Sequence, residues 1–230
     1  MRMSKSRIIT FLHCPHRFKR KYIDGYKAKK QSCLLMSGQD KHIIFENAVK
    51  NAKTSLEVEQ LVKSDKNYKK YSIDCNNFIE YQKQKDILPL YVEEELYDEE
   101  LNIIGIVDRV ECTKDGLLLI DYKTGKSSTN IAKYRFELAL YAYLFEKLHN
   151  QRIAQWGIYF STSGQLLKEG RSQAEIDKAV EKVRQVRRDI KTCEGSNDWP
   201  KKYTPLCNYC ELFMSGDCKG EDGWLFGEED

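Results

Sequence analysis

The sequence predicts an α/β fold, with a central mixed β-sheet flanked by helices. Two short apolar runs, residues 103–107 and 117–120, flank an Asp115-Gly116 pair, which is a strong signal for a β-hairpin. A helical pattern over residues 132–149 is then followed by an apolar strand at residues 156–160. A chain of 230 residues is long enough to bury one such core and to carry a helical appendage.

The N-terminal third is predicted to be helical. Apolar side chains recur at helical spacing over residues 4–22, after a serine that can cap the helix. Pro15 interrupts this pattern, so two short helices and one kinked helix are equally compatible with it. Residues 37–49 predict a further helix, and residues 51–86 predict two or three loosely packed helices that form an arm.

Residues 5–30 also contain the clearest basic patch, with Asp24 as its single acid. The basic residues are Lys5, Arg7, Arg17, Lys19, Arg20, Lys21, Lys27, Lys29 and Lys30. Phe18, Tyr22 and Tyr26 are interleaved with them, which suits contacts with the phosphates and bases of a single strand. A solvated helix face with its aromatic side chains in the core explains the same pattern equally well.

A strand is predicted over residues 90–97, leading into the central hairpin. Because side chains alternate along a strand, Glu93, Glu94 and Glu95 cannot all point outwards. The pattern does not distinguish which of the three faces inwards. Beyond the hairpin, residues 165–168 predict a short return strand, and a capping box at Ser172 opens the last long helix.

The ends of the two hairpin strands carry the first candidate site. Asp108 ends the first apolar run, while Asp121 and Lys123 follow the second and share one face because they are two residues apart. Converging carboxylates favour a hard divalent cation such as Mg²⁺ or Mn²⁺, and such a site with a nearby lysine suits phosphodiester hydrolysis. The alternative is a surface hairpin whose charged side chains form solvated ion pairs.

The cysteines indicate a second site. The N-terminus lacks the apolar core of a signal peptide and no run is long enough to span a membrane, so we expect a cytoplasmic protein with reduced cysteines. Cys207, Cys210 and Cys218 are closely spaced, which is typical of metal ligands. A fourth ligand is needed, and both Cys193, which would complete a zinc ribbon, and Cys14 are candidates.

The pattern G-I-V-D-R followed by D-Y-K-T-G, at residues 105–109 and 121–125, resembles the PD-(D/E)XK nuclease superfamily and its RecB-like branch. The resemblance implies a restriction-endonuclease-like core. It also implies that Asp108, Asp121 and the backbone carbonyl of Tyr122 bind Mg²⁺ or Mn²⁺, and that Lys123 assists the attacking water. A lone histidine beside apolar residues is more often part of the core, but Gly38-x-x-x-His42-x-x-x-Glu46 resembles the branch's first motif, in which the histidine is a metal ligand.

A further motif of this branch, Q-x-x-x-Y, corresponds to residues 137–141. Tyr141 matches the motif tyrosine and is thereby implied to contact the substrate near the metal. Glu137 stands where the family has glutamine. A carboxylate there would repel a DNA phosphate unless it is protonated, paired with a cation or bound to metal.

The order of the cysteines around these motifs resembles the iron–sulfur subgroup of the branch, which includes CRISPR-associated RecB-like exonucleases and the AddB nuclease domain. The resemblance implies a [4Fe–4S] cluster on Cys14, Cys207, Cys210 and Cys218 that ties the chain ends together. It further implies exonuclease action on single-stranded DNA, often from the 5′ end. Because the sequence lacks a G-x-x-x-x-G-K-[ST] helicase motif, frayed ends or a helicase or recombination partner would supply the substrate.

We therefore expect one nuclease domain over residues 1–230. Its segments are a basic helical segment (1–36), a helical arm (37–88), the catalytic core (89–170) and a C-terminal helix with the cluster cysteines (171–230). Two alternatives stay open. One is a catalytically weak DNA-end-binding subunit of a recombination or CRISPR-adaptation complex, and the other is a zinc-ribbon binding protein.

Overall fold

The fold is described from a computed structural model that covers residues 1–27, 33–85, 87–125 and 129–218, without the side chains of residues 33–35. Lys29 and Lys30 of the predicted basic patch, and residues 219–230 of the C-terminal segment, lie outside this description. The chain forms two compact units. Unit 1 contains residues 1–5 and 32–182, and unit 2 contains residues 6–31 and 183–230. The single-domain organisation stays a prediction.

A six-stranded mixed sheet forms the centre of unit 1. Its strands are β1 (Met3–Ser4), β2 (Tyr91–Asp98), β3 (Ile103–Thr113), β4 (Gly116–Lys123), β5 (Ile153–Phe160) and β6 (Gln165–Gly170). The strands run in the order β1-β3-β4-β5-β6, and β2 also pairs with β3. The β1–β3 and β4–β5 pairs are parallel, whereas the other pairs are antiparallel.

The helices surround this sheet or form unit 2. They are α1 (Lys5–His13), α2 (Pro15–Phe18), α3 (Cys33–Asn51), α4 (Ser55–Ser64), α5 (Ser72–Lys83), α6 (Arg135–His149), α7 (Gln173–Ser196) and α8 (Glu211–Met214). A π-helical turn (Lys19–Ile23) follows α2, and 3₁₀ turns precede α6 (Ile131–Tyr134) and α8 (Pro205–Tyr209). Of the two arrangements compatible with residues 4–22, the structure therefore has separate short helices, which break at Cys14-Pro15 and follow a two-residue strand.

The central hairpin forms where the sequence predicts it. Gly116 takes a φ of +109°, a conformation that L side chains rarely adopt, and so closes the tight turn between β3 and β4. From this turn the strands pair regularly as far as Arg109 and Ile120. Asp108 and Asp121 are the next two residues, so both carboxylates lie where the hairpin pairing ends.

Strand β4 is covered by helices on both faces. Leu118, Ile120 and Tyr122 belong to an apolar cluster that also contains Phe45 of α3 and Phe78 of α5. The alternate residues of β4 face α6, which carries Glu137 within hydrogen-bond distance of Lys123. A mixed sheet flanked by helices confirms the predicted fold class.

Unit 2 joins segments from the N-terminal and C-terminal parts of the chain around an aromatic core. Phe18 is fully buried, stacks on Trp199 with ring centroids 6.1 Å apart, and meets Phe11 edge-on at 5.4 Å. Arg17 forms an ion pair with Glu211. Phe18 is therefore part of the core. The interpretation of the basic patch as a single-strand binding surface required Phe18 to be exposed, and it is not.

None of the helices in the described part of the chain is long and apolar enough to cross a membrane.

Candidate active site

Three side chains that could bind a metal ion lie close together at the edge of the central hairpin. The side chains of His42 on α3, Glu93 on β2 and Asp108 on β3 each offer one ligand atom, and these atoms lie within 4.8 Å of one another. The Nδ1 atom of His42 is 3.5 Å from Asp108 Oδ1 and 3.6 Å from Glu93 Oε1. Among the residues that the structure describes, this is the one group of its kind.

Two local features of the sheet place these side chains. Beyond the Arg109–Ile120 pair, Asp108 Oδ2 accepts a hydrogen bond from the backbone N–H of Tyr122 at 2.5 Å, which ties the end of β3 to β4. Glu93 has a φ of +47°, although its neighbours pair regularly with Arg109 and Val107. Such a conformation is rare for a non-glycine residue, and it turns the Glu93 side chain out of the regular alternation.

Asp121 and Lys123 form the second part of the site. Their side chains share one face of β4, and Lys123 Nζ lies 2.5 Å from Asp121 Oδ2. Asp121 is 5% exposed, so the ammonium group replaces part of the charge compensation that water would otherwise supply. The carboxylate of Asp121 is not part of the three-ligand group, because it faces Lys123.

Glu137 of α6 lies on the other side of Lys123. Its Oε1 atom accepts hydrogen bonds from Lys123 Nζ at 3.1 Å and from Lys5 Nζ, and the hydroxyl of Tyr141 is 3.5 Å from the same oxygen. Burial alone would raise the pKa of Glu137, but Lys123 and Lys5 outweigh it and lower the pKa. A carboxylate at this position would repel a DNA phosphate unless it is protonated, paired with a cation or bound to metal. In the structure, Glu137 is paired with cations.

The electrostatics of the site favour an additional cation. Burial raises the pKa of Asp121, and the nearby charges of Asp108 and Glu137 raise it further. Burial likewise raises the pKa of Glu93. His42 lowers this pKa, but it offsets only part of the effect of burial, and the charge of Asp108 raises the pKa further. Burial would lower the pKa of His42, but Asp108 and Glu93 raise it to about 10. The carboxylates thus favour a positive charge at this point, and a bound metal ion would supply one.

The donor set fits a hard or borderline divalent ion. Two carboxylates and one imidazole nitrogen are ligands that Mn²⁺ and Mg²⁺ sites use. Oε1 of Glu93 is buried and forms no hydrogen bond within the described part of the chain. A buried acceptor without a donor is costly, and coordination of a cation would satisfy it.

The structure groups some of the predicted site residues and separates others. His42 and Asp108 belong to the three-ligand group, while Asp121, Lys123 and Tyr141 lie in the adjoining network around Glu137. The side chain of Tyr122 lies in the core, and its backbone N–H orients Asp108. The sequence narrowed the inward-facing glutamate to three candidates but could not identify Glu93, because its left-handed backbone leaves no local sequence signal.

The cysteines of unit 2 form a separate candidate site. Cys14, Cys207, Cys210 and Cys218 line one pocket, and Cys193 is not among its lining residues. Cys14 caps α2, where its Sγ accepts a hydrogen bond from the N–H of Arg17 at 3.4 Å. Burial raises the pKa of Cys218, and the charges of the other three cysteines raise this pKa further.

A comparison with a known structure agrees with this architecture. A crystal structure from Eubacterium rectale, of a protein called a "putative exonuclease", matches with 12% sequence identity and a TM-score of 0.58. That match covers 90% of this chain and 87% of the other chain, and at this identity it shows the fold alone. The crystal structure of SSO0001 matches with 13% identity and a TM-score of 0.47, over 94% of this chain and 85% of that chain. The search of curated proteins found no match.

The amino-acid sequence also matches a known protein family. The family described as the PD-(D/E)XK nuclease superfamily matches residues 2–214, a span that includes the hairpin acids, Lys123 and α6. This match covers most of the 230 residues. The chain therefore belongs to the PD-(D/E)XK nuclease superfamily.

Proposed function

We propose that this protein is a Mg²⁺- or Mn²⁺-dependent deoxyribonuclease that degrades single-stranded DNA as an exonuclease, starting from the 5′ end. The observation that carries the proposal is the placement of Asp108, Asp121 and Lys123 where the β3–β4 pairing ends, beside His42 and Glu93. Membership of a nuclease superfamily supports it. Single-strand preference, 5′ polarity and a helicase or recombination partner rest on the resemblance to the RecB-like branch.

In this proposal the protein's own residues orient the reacting groups. His42, Glu93 and Asp108 would hold the cation, and Asp121 and the carbonyl of Tyr122 complete the set that the family resemblance implies. A cation held there would supply Lewis acidity for a phosphoryl oxygen and for a water molecule. Burial would lower the pKa of Lys123, but Asp121 and Glu137 raise it, so the side chain stays protonated. Lys123 then offsets the negative charge that develops on the phosphate in the transition state.

The nuclease proposal is tested by Asp108→Asn, which keeps the shape of the side chain and removes its charge. We expect at least about a hundredfold loss of cleavage, since both a metal ligand and the orientation provided by the Tyr122 N–H are affected. Single strands labelled at the 5′ or the 3′ end, assayed with Mg²⁺, Mn²⁺ or EDTA, report activity and polarity together.

The matched control is Asp115→Asn, because Asp115 lies in the exposed turn of the same hairpin. This variant is expected to cleave as the wild type does, and binding of single-stranded DNA to Asp108→Asn in EDTA is expected to stay within a few-fold. Full activity of Asp108→Asn would contradict the assignment of Asp108 as a metal ligand. A wild-type protein that binds DNA ends without cleaving them would favour the end-binding alternative.

We also propose that Cys14, Cys207, Cys210 and Cys218 hold a [4Fe–4S] cluster with a structural role. The common pocket of the four cysteines supports this, and so does the location of Cys14 rather than Cys193 on its wall. Thiolate ligands suit both an iron–sulfur cluster and zinc. Cross-linking segments that are far apart in sequence restricts the unfolded chain, and this is how the cluster would stabilise unit 2.

The cluster proposal predicts a brown protein when it is purified without oxygen. Broad absorbance near about 400 nm and stoichiometric iron and sulfide are expected. The Cys14→Ser variant is expected to lose the colour, whereas Cys193→Ser is expected to keep it. A colourless protein with stoichiometric zinc, particularly one in which Cys193→Ser releases the metal, would replace the cluster with a zinc ribbon.

A further inference from the structure

We propose that Lys5 is a positioning residue for the nuclease reaction: it neutralises Glu137 and thereby keeps Lys123 available to Asp121 and the substrate phosphate. The inference rests on the proposed function, and it concerns a residue that none of the nuclease motifs contains. It explains how this chain accommodates glutamate at a position where the related motif has glutamine.

The contacts around Glu137 carry the argument. The Glu137 side chain is 9% exposed, and its Oε1 atom accepts hydrogen bonds from both Lys5 and Lys123. The two lysine side chains are each 24% exposed, so neither is fully solvated. Ion pairs in such a partly buried site are screened much less than surface pairs, and the loss of one partner leaves a poorly compensated charge.

Charge balance shows why one lysine is insufficient. Lys123 contacts two carboxylates, Asp121 and Glu137, and both contribute to the raised pKa of its ammonium group. Without Lys5, Glu137 would depend on Lys123 for its compensation. The ammonium group would then be drawn towards α6 and away from Asp121, and the site would carry one more net negative charge where a DNA phosphate must approach.

The pairing of β1 with β3 places Lys5 beside Glu137. Strand β1 runs parallel to β3, with Met3 opposite Ile103 and Ser4 opposite Ile104, and Met3 is 3% exposed. Lys5 is the next residue and starts α1. The short edge strand therefore fixes the backbone of Lys5 against the same β3 strand that carries Asp108, although Lys5 and Glu137 are far apart in the sequence.

The proposal predicts that the need for Lys5 depends on the residue at position 137. With Glu137 present, Lys5→Met is expected to reduce kcat by about tenfold or more, with a smaller change in KM. With Glu137→Gln, no carboxylate draws Lys123 away, so adding Lys5→Met is expected to change kcat by less than about threefold. The double variant is thus expected to cleave faster than Lys5→Met alone.

The experiment uses the four full-length proteins of this double-mutant cycle. Steady-state cleavage of single-stranded DNA gives kcat and KM, and thermal unfolding of the same proteins gives a readout that does not depend on catalysis. Lys147→Met is the control, because Lys147 also pairs with a buried carboxylate, Asp98, but lies ten residues further along α6, or about 15 Å. It is expected to lower the melting temperature and leave the cleavage rate unchanged.

Each outcome decides a separate question. An equal loss of rate from Lys5→Met in both backgrounds overturns the positioning role, even if the melting temperatures show that the ion pair exists. Additive effects on both rate and melting temperature overturn the pairing itself. If the wild type does not cleave DNA under any metal condition, the proposed function fails, while the melting temperatures still test the contact between Lys5 and Glu137.

Discussion

Gly157 shows how closely the backbones of β5 and β6 approach each other. A Cβ atom at this position would lie 2.7 Å from the backbone carbonyl oxygen of Leu167. We expect Gly157→Ala to lower the free energy of unfolding by about 1–3 kcal/mol, because a backbone atom cannot move aside as a side chain can. Chemical denaturation measures this change.

The control for Gly157 is a glycine with open space around it. Gly195, in α7, has no neighbour within 4 Å of a Cβ atom, so Gly195→Ala is expected to stabilise the protein by about 0.5–1 kcal/mol. If both substitutions changed the stability in the same direction, the close approach at Gly157 would not be the cause.

At the residue scale, the sequence predicted the chemistry of the site better than its contacts. Residue types and spacing made Asp108, Asp121 and Lys123 candidates, because strand alternation is a local property. The resemblance to the nuclease motifs then favoured them over a surface hairpin. The conformation of Glu93 and the contact between Lys5 and Glu137 depend on distant parts of the chain. No periodicity encodes them, so the structure was needed to reveal both.

Helix α6 is fixed to the sheet at its far end by Asp98, which is 4% exposed. Asp98 accepts hydrogen bonds from Tyr143 and Lys147, each at 2.8 Å, and from the N–H of Glu100 at 3.0 Å. Burial alone would raise the pKa of Asp98, but these donors outweigh it and lower the pKa. The ionised carboxylate is therefore the form that stabilises the fold.

We expect Asp98→Asn to destabilise the protein by about 1–3 kcal/mol at pH 7, where the carboxylate is ionised. The folded-state pKa lies below the unfolded value of about 3.9, so the stabilisation is complete above pH 4 and is lost as the pH falls through the folded value. Urea unfolding at pH 7 and pH 3 should show the difference between the two proteins shrinking. A difference that is independent of pH would mean that the charge of Asp98 is unimportant.

At the element scale, strong local signals gave the right elements and weak ones did not. The Asp115-Gly116 turn and the alternation in β4 predicted the hairpin, and the helical pattern predicted α6. The strand at Met3–Ser4 was not predicted, because a two-residue strand has no period and exists only through its pairing with β3. Helix α3 begins at Cys33, earlier than the capping pattern at residue 37 suggested.

At the scale of the whole molecule, unit 2 combines an early and a late segment of the chain, residues 6–31 and residues from 183 onwards. Cys14 and Cys218, which are 204 positions apart in the sequence, both belong to it. If these cysteines hold a common cluster, removing either one opens the same cross-link. We expect Cys14→Ala and Cys218→Ala each to lower the opening free energy of unit 2 by about 2–5 kcal/mol, by analogy with the loss of a disulfide.

Hydrogen exchange measures this effect segment by segment. Each variant is expected to speed exchange in both residues 6–27 and residues 200–218, while the strands of unit 1 stay protected. Cys112→Ala, which changes an exposed cysteine of β3, is the control and is expected to alter neither segment. Faster exchange confined to the mutated segment would mean that the four cysteines do not act together.

The composition of unit 2 also constrains the order of events during synthesis on the ribosome. Residues 6–31 emerge early, but their partners from residue 183 onwards emerge only after the whole sheet of unit 1 has been translated. At about 5–20 residues per second, the buried face of Phe18 and its neighbours must wait on the order of ten seconds for Trp199. The apolar face of the N-terminal helices therefore lacks its Trp199 contact for that time, and it is buried only after residues from 183 onwards have been synthesised.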